Sequence, residues 1–390
     1  MRFGGAVTMT DRRLRILVVN LGRRGGVTQY GWLMTKALAE HADIAVVRSA
    51  FAENRDRYTM LGCPQLEVPT FNSVVGLLLS FLAVPRFVRI WRFAHGFAPD
   101  VIYYPGGHAW KPLLDLLLPR SAATVITVHD PQLHSGEDSV AWRMLDWVNK
   151  RRASGYVLLN QSHRAGFSAR HGLDPARVVV IPHGVVDDYT AEASDVESIA
   201  SLTGMSSAEA GKYVLFVGRI LPYKGVDTLL EAYGMLATEK AGPLVIAGSG
   251  ELSSDARQRL RALAGRPVRF LNSWLTDVQV AMLVAGARFV VLPYRSATQS
   301  GVVPFASAYG VPAIASATDG LAEQVVDRQT GWLFPPDDAA SLRDLLAEAY
   351  AISDEKYEVL SAECREYALK NWGWDELSLR LVRFCESLLS

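Results

Sequence analysis

The chain has 390 residues, too many for one ordinary domain, and 49% of them are hydrophobic, as in soluble globular proteins. Its 40 basic and 40 acidic residues balance, which excludes the strong net field of a protein that binds nucleic acid electrostatically. The three cysteines are far apart, which excludes a disulfide framework and favours a reducing compartment.

The first residues, MRFGGAVTMTDRR, lack the apolar central region of a signal peptide. We predict a flexible lead-in at residues 1–11. The longest apolar run, Val74–Val84, is too short to span a bilayer. We therefore expect a cytoplasmic protein, with contact at the inner face of the membrane as an open possibility.

Residues 12–185 alternate between buried-strand patterns and helical patterns, which predicts a parallel sheet covered on both faces. A glycine-rich turn at Gly22–Gly26 follows the first strand and precedes a helix at Val27–Ala39. The predicted strands are Leu14–Asn20, Ile44–Val47, Val101–Tyr104, Thr124–Val128, Gly155–Leu159 and Val178–Ile181.

A polar stretch at residues 186–211 indicates a linker with a short helix, and the alternation then resumes over residues 212–371. The strands predicted there are Tyr213–Val217, Leu244–Ala247, Val268–Leu271, Phe289–Leu292, Ala313–Ala315 and Gly331–Phe334. Residues 372–390 form a final amphipathic helix that packs back on the body. The fold class is therefore α/β, with two Rossmann-like, doubly wound domains facing each other across a cleft. Neither domain has a GxGxxG element, which disfavours a nicotinamide enzyme.

Two cations follow the strand Tyr213–Val217, Arg219 in the loop and Lys224 beside Gly225. The carboxyl edge of such a sheet is where ligands bind, and the next helix begins there. A guanidinium and an ammonium this close suit a diphosphate. The alternative is a solvated surface pair, since exposed charges are the rule.

Several short motifs occur in a fixed order along the chain. They are Gly25-Gly26, His129, Ile181–Val185 (IPHGV), Gly218-Arg219 with Lys224-Gly225, Ala247–Gly250 (AGSG), Gly310–Ile314, Glu323 and Thr330–Leu333. In these motifs and their order, the chain resembles the GT-B glycosyltransferases, specifically the large retaining family 4, which commonly has IPNGV in place of IPHGV. The resemblance runs from Leu14 to about Trp374.

The resemblance implies that Arg219 and Lys224 hold the diphosphate of a nucleotide-sugar and stabilise the leaving group. It places Gly250 and Glu323 on the same sugar-donor side. Gly25 and Gly26 would contact the donor phosphate or the acceptor, although a tight turn alone would also use them. The chain contains no Asp-x-Asp, so we expect no metal and no cofactor, with side-chain cations acting in place of a divalent ion.

His129 directly follows the predicted strand Thr124–Val128, at a position where family members place a histidine near the donor sugar. We predict that it donates a hydrogen bond to a sugar hydroxyl, and the alternative is a histidine bonded to the loop backbone. Asp130 either orients this ring or caps the next segment. His108 and Asp130 are candidates for the acceptor side of the cleft.

The segment Tyr294–Pro312 departs from the family, which typically carries two glutamates eight positions apart here. The expected positions fall near Phe305 and at Ala297 to Gln299, and neither is acidic. The turn Gln299, Ser300, Gly301 and Val302 remains able to offer amides and a hydroxyl to phosphate. A missing ribose carboxylate is compatible with a deoxyribose donor such as a dTDP-sugar, or with a ribose that other groups hold.

The segment Val74–Phe93 combines an apolar stretch with Arg86, Arg89 and Arg92. It is either a membrane-surface patch that meets a lipid-linked acceptor or a helix buried on one face with arginines on the other.

The sequence thus predicts a metal-independent glycosyltransferase that moves a hexose from a UDP-, GDP- or dTDP-sugar to a glycan, a lipid-linked glycan or a small molecule, with retention. A GT-B phosphorylase or synthase, and a non-catalytic sugar-nucleotide-binding scaffold, remain alternatives. No nucleic-acid partner is expected.

Overall fold

Two separate parallel β-sheets form the framework of the chain in a computed structural model, which describes residues 12–131, 153–186, 188, 196–206, 209 and 212–390. The predicted lead-in at residues 1–11 and twelve residues of the predicted linker (187, 189–195, 207–208 and 210–211) lie outside these residues. Part of the linker is described as a helix, Val196–Thr203.

The first sheet has the strand order β3-β2-β1-β4-β5-β6-β7, and all of its strand pairs are parallel. Alternate residues of β1 face opposite hydrophobic cores, Ile16 and Val18 on one side and Leu17 and Val19 on the other. Both faces are therefore covered by helices, as the continuous apolar runs predicted. The strands are β1 (Arg15–Asn20), β2 (Asp43–Ser49), β3 (Gln65–Val68), β4 (Val101–Tyr104), β5 (Ala123–Val128), β6 (Gly155–Leu158) and β7 (Val178–Val180).

The second sheet has the order β10-β9-β8-β11-β12-β13 and is also parallel throughout. Its core is one continuous apolar cluster that includes Phe216, Leu229 and Ile314. The strands are β8 (Tyr213–Val217), β9 (Leu244–Ala247), β10 (Val268–Leu271), β11 (Ala287–Leu292), β12 (Ala313–Ser316) and β13 (Gly331–Phe334).

Helices connect these strands and cover the sheets. The longer ones are Gly26–His41, Val84–Phe97, Ala339–Ala351, Asp354–Trp372 and Trp374–Ser387. The shorter ones are Val74–Ser80, Lys111–Leu117, Arg164–His171, Val226–Gly234, Ser254–Ala262, Asp277–Ala285, Val302–Ala308 and Asp319–Ala322. Single 3₁₀ turns occur at Arg55–Met60, Pro175–Arg177, Pro222–Lys224 and Thr238–Lys240.

The strand order confirms the predicted pair of doubly wound domains and also shows where each one reverses direction. In the first sheet the order reverses between β1 and β4, and in the second between β8 and β11. Ligands of doubly wound sheets bind at the carboxyl ends of strands at such a point. The loops after β1, β4, β8 and β11 are therefore the ones to search for a site.

One strand, β3, was not predicted. It has only four residues, Gln65–Val68, and only Val68 is fully buried. An edge strand pairs on one side only, so its sequence needs no continuous apolar run and the signal is weak.

The last helix, Trp374–Ser387, returns from the second half to the first. Leu377, Leu381 and Cys385 belong to the core on one face of the first sheet. The Arg380 guanidinium donates to the Val180 carbonyl at 2.7 Å. The chain therefore crosses between the halves twice, and Trp374 marks the second crossing by donating its indole N–H to the Val185 carbonyl.

Candidate active site

Lys224 lies where sequence reasoning placed it, at the carboxyl end of β8. Its ammonium donates to the Tyr294 hydroxyl at 2.8 Å and lies 4.2 Å from the centre of that ring. A Cβ built on Gly218 would be 3.6 Å from the ammonium, so the cation sits directly against the end of the strand. Arg219 is exposed beside it. The structure thus brings both predicted cations to the switch point of the second sheet.

Arg295 fixes the turn that carries Lys224. Its guanidinium donates to the Pro222 carbonyl at 2.6 Å and pairs with Asp227 at 2.6 Å and with Asp337 at 2.7 Å. Burial alone would raise the pKa of Asp227, but the hydrogen bond and the charge of Arg295 outweigh it, and the pKa lies below its usual value. This ionised network holds the Pro222–Lys224 turn rigid, so the ammonium is positioned before any ligand arrives.

Gly225 shows the backbone requirement of this loop. Its φ is +65°, and an added Cβ would lie 1.9 Å from the Pro293 carbonyl oxygen. We expect Gly225→Ala to lower the free energy of unfolding by about 2–4 kcal/mol through left-handed strain and the steric clash. Urea unfolding followed by circular dichroism measures the loss. Gly166→Ala is the control, because nothing lies within 4 Å of its added methyl. Equal stability of the two variants would contradict this account.

His129 lies at the end of β5, and its Nε2 is 2.8 Å from the Pro105 carbonyl oxygen. A carbonyl can only accept, so Nε2 carries the proton and Nδ1 is the acceptor of the neutral ring. Burial lowers the pKa of His129, and the Pro105 contact and the Asp130 charge only partly offset this. A sugar hydroxyl would therefore donate to the ring, the reverse of the direction that we expected from the sequence.

The predicted acceptor-side residues, Asp130 and His108, follow β5 and β4. Asp130 accepts a hydrogen bond at 3.0 Å from the hydroxyl of Thr298 in the second half. His108 follows β4, and its Nδ1 accepts from the Trp110 amide at 3.2 Å. Burial lowers the pKa of His108 to about 4, so this ring is neutral at neutral pH. Its centre is 5.3 Å from that of Phe71.

The turn at Gln299–Val302 is held by a residue that sequence reasoning missed, Gln324. The Ser300 amide donates to the Gln324 side chain at 2.8 Å, and Gln324 returns a bond to the Ser300 carbonyl at 2.9 Å. The Val302 amide donates to the Ser300 hydroxyl oxygen at 3.2 Å. These two amides are thus already paired. The Ser300 O–H proton and the Gly301 amide have no bond within the described residues.

The Gln299 side chain carries the most suggestive polar atom of the turn. Its carbonyl oxygen is buried and has no hydrogen-bond partner within the described ranges. Buried polar atoms in folded proteins are nearly always paired. A hydroxyl of a bound ligand would satisfy it. Nearby, a Cβ on Gly301 would come within 3.3 Å of the His183 ring, which brings the two halves together at this turn.

The glycines of the predicted site differ in how much space surrounds them. Gly25 is the N-cap of helix Gly26–His41 with φ +76°, and nothing lies within 4 Å of a Cβ on Gly26. Gly250 is different: its amide donates to the Asn272 side chain at 3.2 Å, and a Cβ there would meet the Ile220 carbonyl at 2.3 Å. Gly26 has open space around it, Gly25 meets only the edge of the Trp274 ring at 3.9 Å, and Gly250 is required by backbone packing.

Glu323 bridges the two halves of the chain. Its carboxylate accepts from the Gln161 amide at 2.7 Å and from the Ser162 amide at 2.6 Å, both in the loop that precedes helix Arg164–His171. Asn160 in the same loop donates to the Thr298 carbonyl. The structure therefore uses the Glu323 carboxylate, which we expected on the sugar donor, to hold the cleft together.

We expect Glu323→Gln to open the cleft in the absence of ligand. A neutral amide accepts less strongly from two backbone amides, and a loss of about 1 kcal/mol changes the ratio of closed to open forms about fivefold. The radius of gyration from small-angle scattering should increase and should return on adding nucleotide. Glu348→Gln is the control, because Glu348 pairs with Arg328 within one half. An unchanged radius in the Glu323 variant would show that this contact does not hold the cleft.

Trp274 is a further cleft residue that sequence reasoning missed. It follows β10, is 46% exposed, and approaches to within 3.9 Å of a Cβ built on Gly25 of the other half. The Arg24 guanidinium lies 5.8 Å from its ring centre. The sequence did not single out Trp274 from the nine tryptophans of the chain. It lies near the start of the helix at Gly26 only because the two sheets face each other.

No group of three His, Cys, Asp or Glu side chains close enough to hold a metal ion occurs in the described part of the chain. The position near which the family's second glutamate is expected is Phe305, which is 7% exposed and packs with the core of the first half. The described polar groups at this edge of the second sheet are the cations Lys224 and Arg219 and the Gln299–Val302 turn.

Comparison with known proteins agrees with this architecture. Residues 24–189 match the sequence model of "Glycosyltransferase Family 4", and residues 211–351 match that of "Glycosyl transferases group 1". The first match covers the first sheet except β1, and the second match covers the whole second sheet. The predicted cleft residues of both halves therefore fall almost entirely inside the matched regions.

Curated relatives share part of the chain. A D-inositol 3-phosphate glycosyltransferase of Geodermatophilus obscurus is 34% identical over 213 residues, 51% of this chain and 45% of the relative. A glycogen synthase of Pseudomonas fluorescens is 27% identical over 48% of this chain and 36% of its own length. The alignments thus span less than half the length of either relative.

Solved structures share the fold over nearly the whole chain. HepE from Anabaena, in complex with UDP and glucose, has a TM-score of 0.73 at 18% identity and covers 96% of this chain and 100% of its own. The sucrose-phosphate synthase of Thermosynechococcus elongatus has a TM-score of 0.70 at 20% identity, and the alignment covers 96% of this chain and 99% of the synthase. The chain therefore has the GT-B fold of these structures, and its first and second halves are similar, in that order, to the models of glycosyltransferase family 4 and of the glycosyl transferases of group 1.

Proposed function

We propose that the protein transfers a hexosyl group from a nucleoside diphosphate sugar to a sugar, lipid-linked or small-molecule acceptor, without a metal ion and with retention of configuration. The observation that carries the proposal is the pre-positioned Lys224 ammonium, which lies with Arg219 at the switch point of the second sheet. Cleavage of a glycosyl–phosphate bond places negative charge on the departing diphosphate. Cations fixed in advance beside that charge stabilise the transition state more than the substrate.

The other cleft residues have roles that fit this reaction. The Gln299 carbonyl oxygen accepts from a hydroxyl of the donor sugar, and the Ser300 O–H donates to the distal phosphate. His129 accepts from a second sugar hydroxyl through Nδ1. The open helix start at Gly25-Gly26 faces the phosphates or the acceptor, and His108 lies on the acceptor side.

A uridine nucleotide is the first donor to test, since HepE was solved with UDP and with UDP-glucose. GDP- and dTDP-sugars remain in the same proposal, because Phe305 and Gln299 offer no carboxylate to the ribose hydroxyls. Without that carboxylate, we expect weak discrimination between ribose and deoxyribose forms.

A thermal-shift series with UDP, dUDP, GDP and dTDP tests the nucleotide. Ligand at 100 times its dissociation constant should stabilise the fold by about 2.7 kcal/mol. Hydrolysis of the matching sugar nucleotide, followed by NMR of the released sugar, reports activity and anomeric configuration. EDTA should leave turnover unchanged, and a strict requirement for a divalent ion would reject the metal-free mechanism.

The same assays separate the alternatives. Binding of a nucleotide without turnover of its sugar would indicate a non-catalytic scaffold. Turnover that depends on inorganic phosphate or a sugar phosphate would indicate a phosphorylase. No stabilisation by any of the four nucleotides would reject the proposed function itself.

A further inference from the structure

One surface of the first half is much more apolar than the rest of the described chain. Nine of the seventeen exposed large hydrophobic side chains lie between positions 74 and 91. We call these nine the apolar surface: Val74, Val75, Leu78, Leu79, Phe81, Leu82, Val84, Val88 and Trp91. Six of them are 59–77% exposed. A contiguous exposed apolar surface of this kind marks an interaction site.

Two helices build the apolar surface, Val74–Ser80 and Val84–Phe97, and they meet at 65°. No single described helix is long and apolar enough to cross a bilayer. The bent pair reaches the necessary length and hydropathy only when its two helices are counted together. Helices of 7 and 14 residues are too short for a span of about 20 residues. Their geometry suits a segment that lies along an interface.

The second helix is anchored on one face and open on the other. Phe87, Ile90 and Ala94 are buried in the core of the first half, whereas Val88 and Trp91 face outward. Tryptophan on the exposed apolar face of a helix is typical of the boundary between headgroups and acyl chains.

The charged residues of the segment that carries the apolar surface all have one sign. Positions 71–99 contain no Asp or Glu and carry Arg86, Arg89 and Arg92. Arg89 and Arg92 are exposed on the same helix as Trp91. Arginines beside exposed apolar residues attract anionic headgroups. A second copy of the chain is a poorer partner, because a two-fold interface would bring these arginines close to the same arginines of the other copy.

The apolar surface is also connected to the acceptor side of the cleft. The Trp110 indole donates to the Ser80 hydroxyl at 2.8 Å, and the Phe71 ring lies 5.3 Å from that of His108. A partner seated on the apolar surface would therefore lie near His108, which the proposed function places on the acceptor side.

We infer that the apolar surface docks on an anionic lipid bilayer. Leu78, Leu79 and Leu82 enter the outer acyl region, and Arg89 and Arg92 contact the headgroups. This contact goes beyond the transfer reaction, because it places the whole enzyme at a membrane independently of which nucleotide it uses.

Sedimentation of the full chain with vesicles tests the inference. We expect binding to phosphatidylglycerol-containing vesicles and at least tenfold weaker partitioning into pure phosphatidylcholine. The triple variant Leu78→Ser, Leu79→Ser, Leu82→Ser should lose tenfold or more in partitioning. The control replaces two exposed side chains of helix Asp354–Trp372, Val359→Ser and Leu369→Ser, which are 58% and 47% exposed, and should bind like the parent.

A second variant keeps the test decisive if the triple variant folds poorly. Arg89→Gln with Arg92→Gln should weaken binding to anionic vesicles by about fivefold for each charge and leave nucleotide binding unchanged. Absence of vesicle binding by the parent, or equal binding by the apolar and control variants, would overturn the inference. A dimer of the parent that the triple variant converts to a monomer would also overturn it, in favour of a second copy.

Discussion

Replacing Lys224 by alanine is expected to weaken nucleoside diphosphate binding by about 1.5–3 kcal/mol, roughly a 10- to 150-fold rise in the dissociation constant. The ammonium is held by the Tyr294 hydroxyl and ring, so it makes a charge-assisted contact without first being ordered by the ligand. Arg219→Ala should weaken binding in the same range. Titration calorimetry with UDP, or with whichever nucleotide binds best, measures both.

Two variants make this result specific. Lys240→Ala removes an exposed lysine from the same half and should bind as the parent does. Tyr294→Phe removes only the hydroxyl partner of Lys224, so its effect should be smaller than that of Lys224→Ala. If Lys224→Ala and Arg219→Ala both bind the nucleotide as tightly as Lys240→Ala, the diphosphate does not lie at β8.

Lowering the pH from 7.5 to 5 is expected to cost about 2 kcal/mol of stability through His183 alone. This ring is 5% exposed, and burial lowers its pKa to about 4, against about 6.5 in the unfolded chain. Between these two values the unfolded state binds more protons than the native state, so stability falls as the pH falls. Burial lowers the pKa of His108 to about 4 as well, and its contribution has the same sign.

Urea unfolding of the parent and of His183→Asn at several pH values isolates this contribution. The Asn variant keeps a polar side chain at the position where the resembled family commonly has asparagine, and its stability should depend less steeply on pH. His95→Gln is the control, since His95 is exposed. If the parent and His183→Asn lose stability in parallel from pH 7.5 to 5, the buried neutral ring is not the cause.

The sequence by itself determined the architecture of the two halves. The buried strands are continuous apolar runs, such as Tyr213–Val217, and such runs occur only where both faces of a sheet are covered. Because parallel strands end at one edge, the same reasoning placed Lys224, Arg219 and His129 at that edge. Each of these predictions uses only local sequence: a strand, the turn that follows it, and a residue a few positions beyond the end of the strand.

The tertiary structure alone decided the contacts between the halves. Glu323 reaches Gln161 and Ser162 across more than 160 positions of sequence, and Thr298 meets Asp130 across 168. No periodicity or spacing encodes these pairs, because each depends on how the two sheets face each other. For the same reason the sequence could list the apolar residues of Val74–Trp91 but not their exposure. Whether a leucine on a helix is core or surface depends on what packs against it, and here little of the chain does.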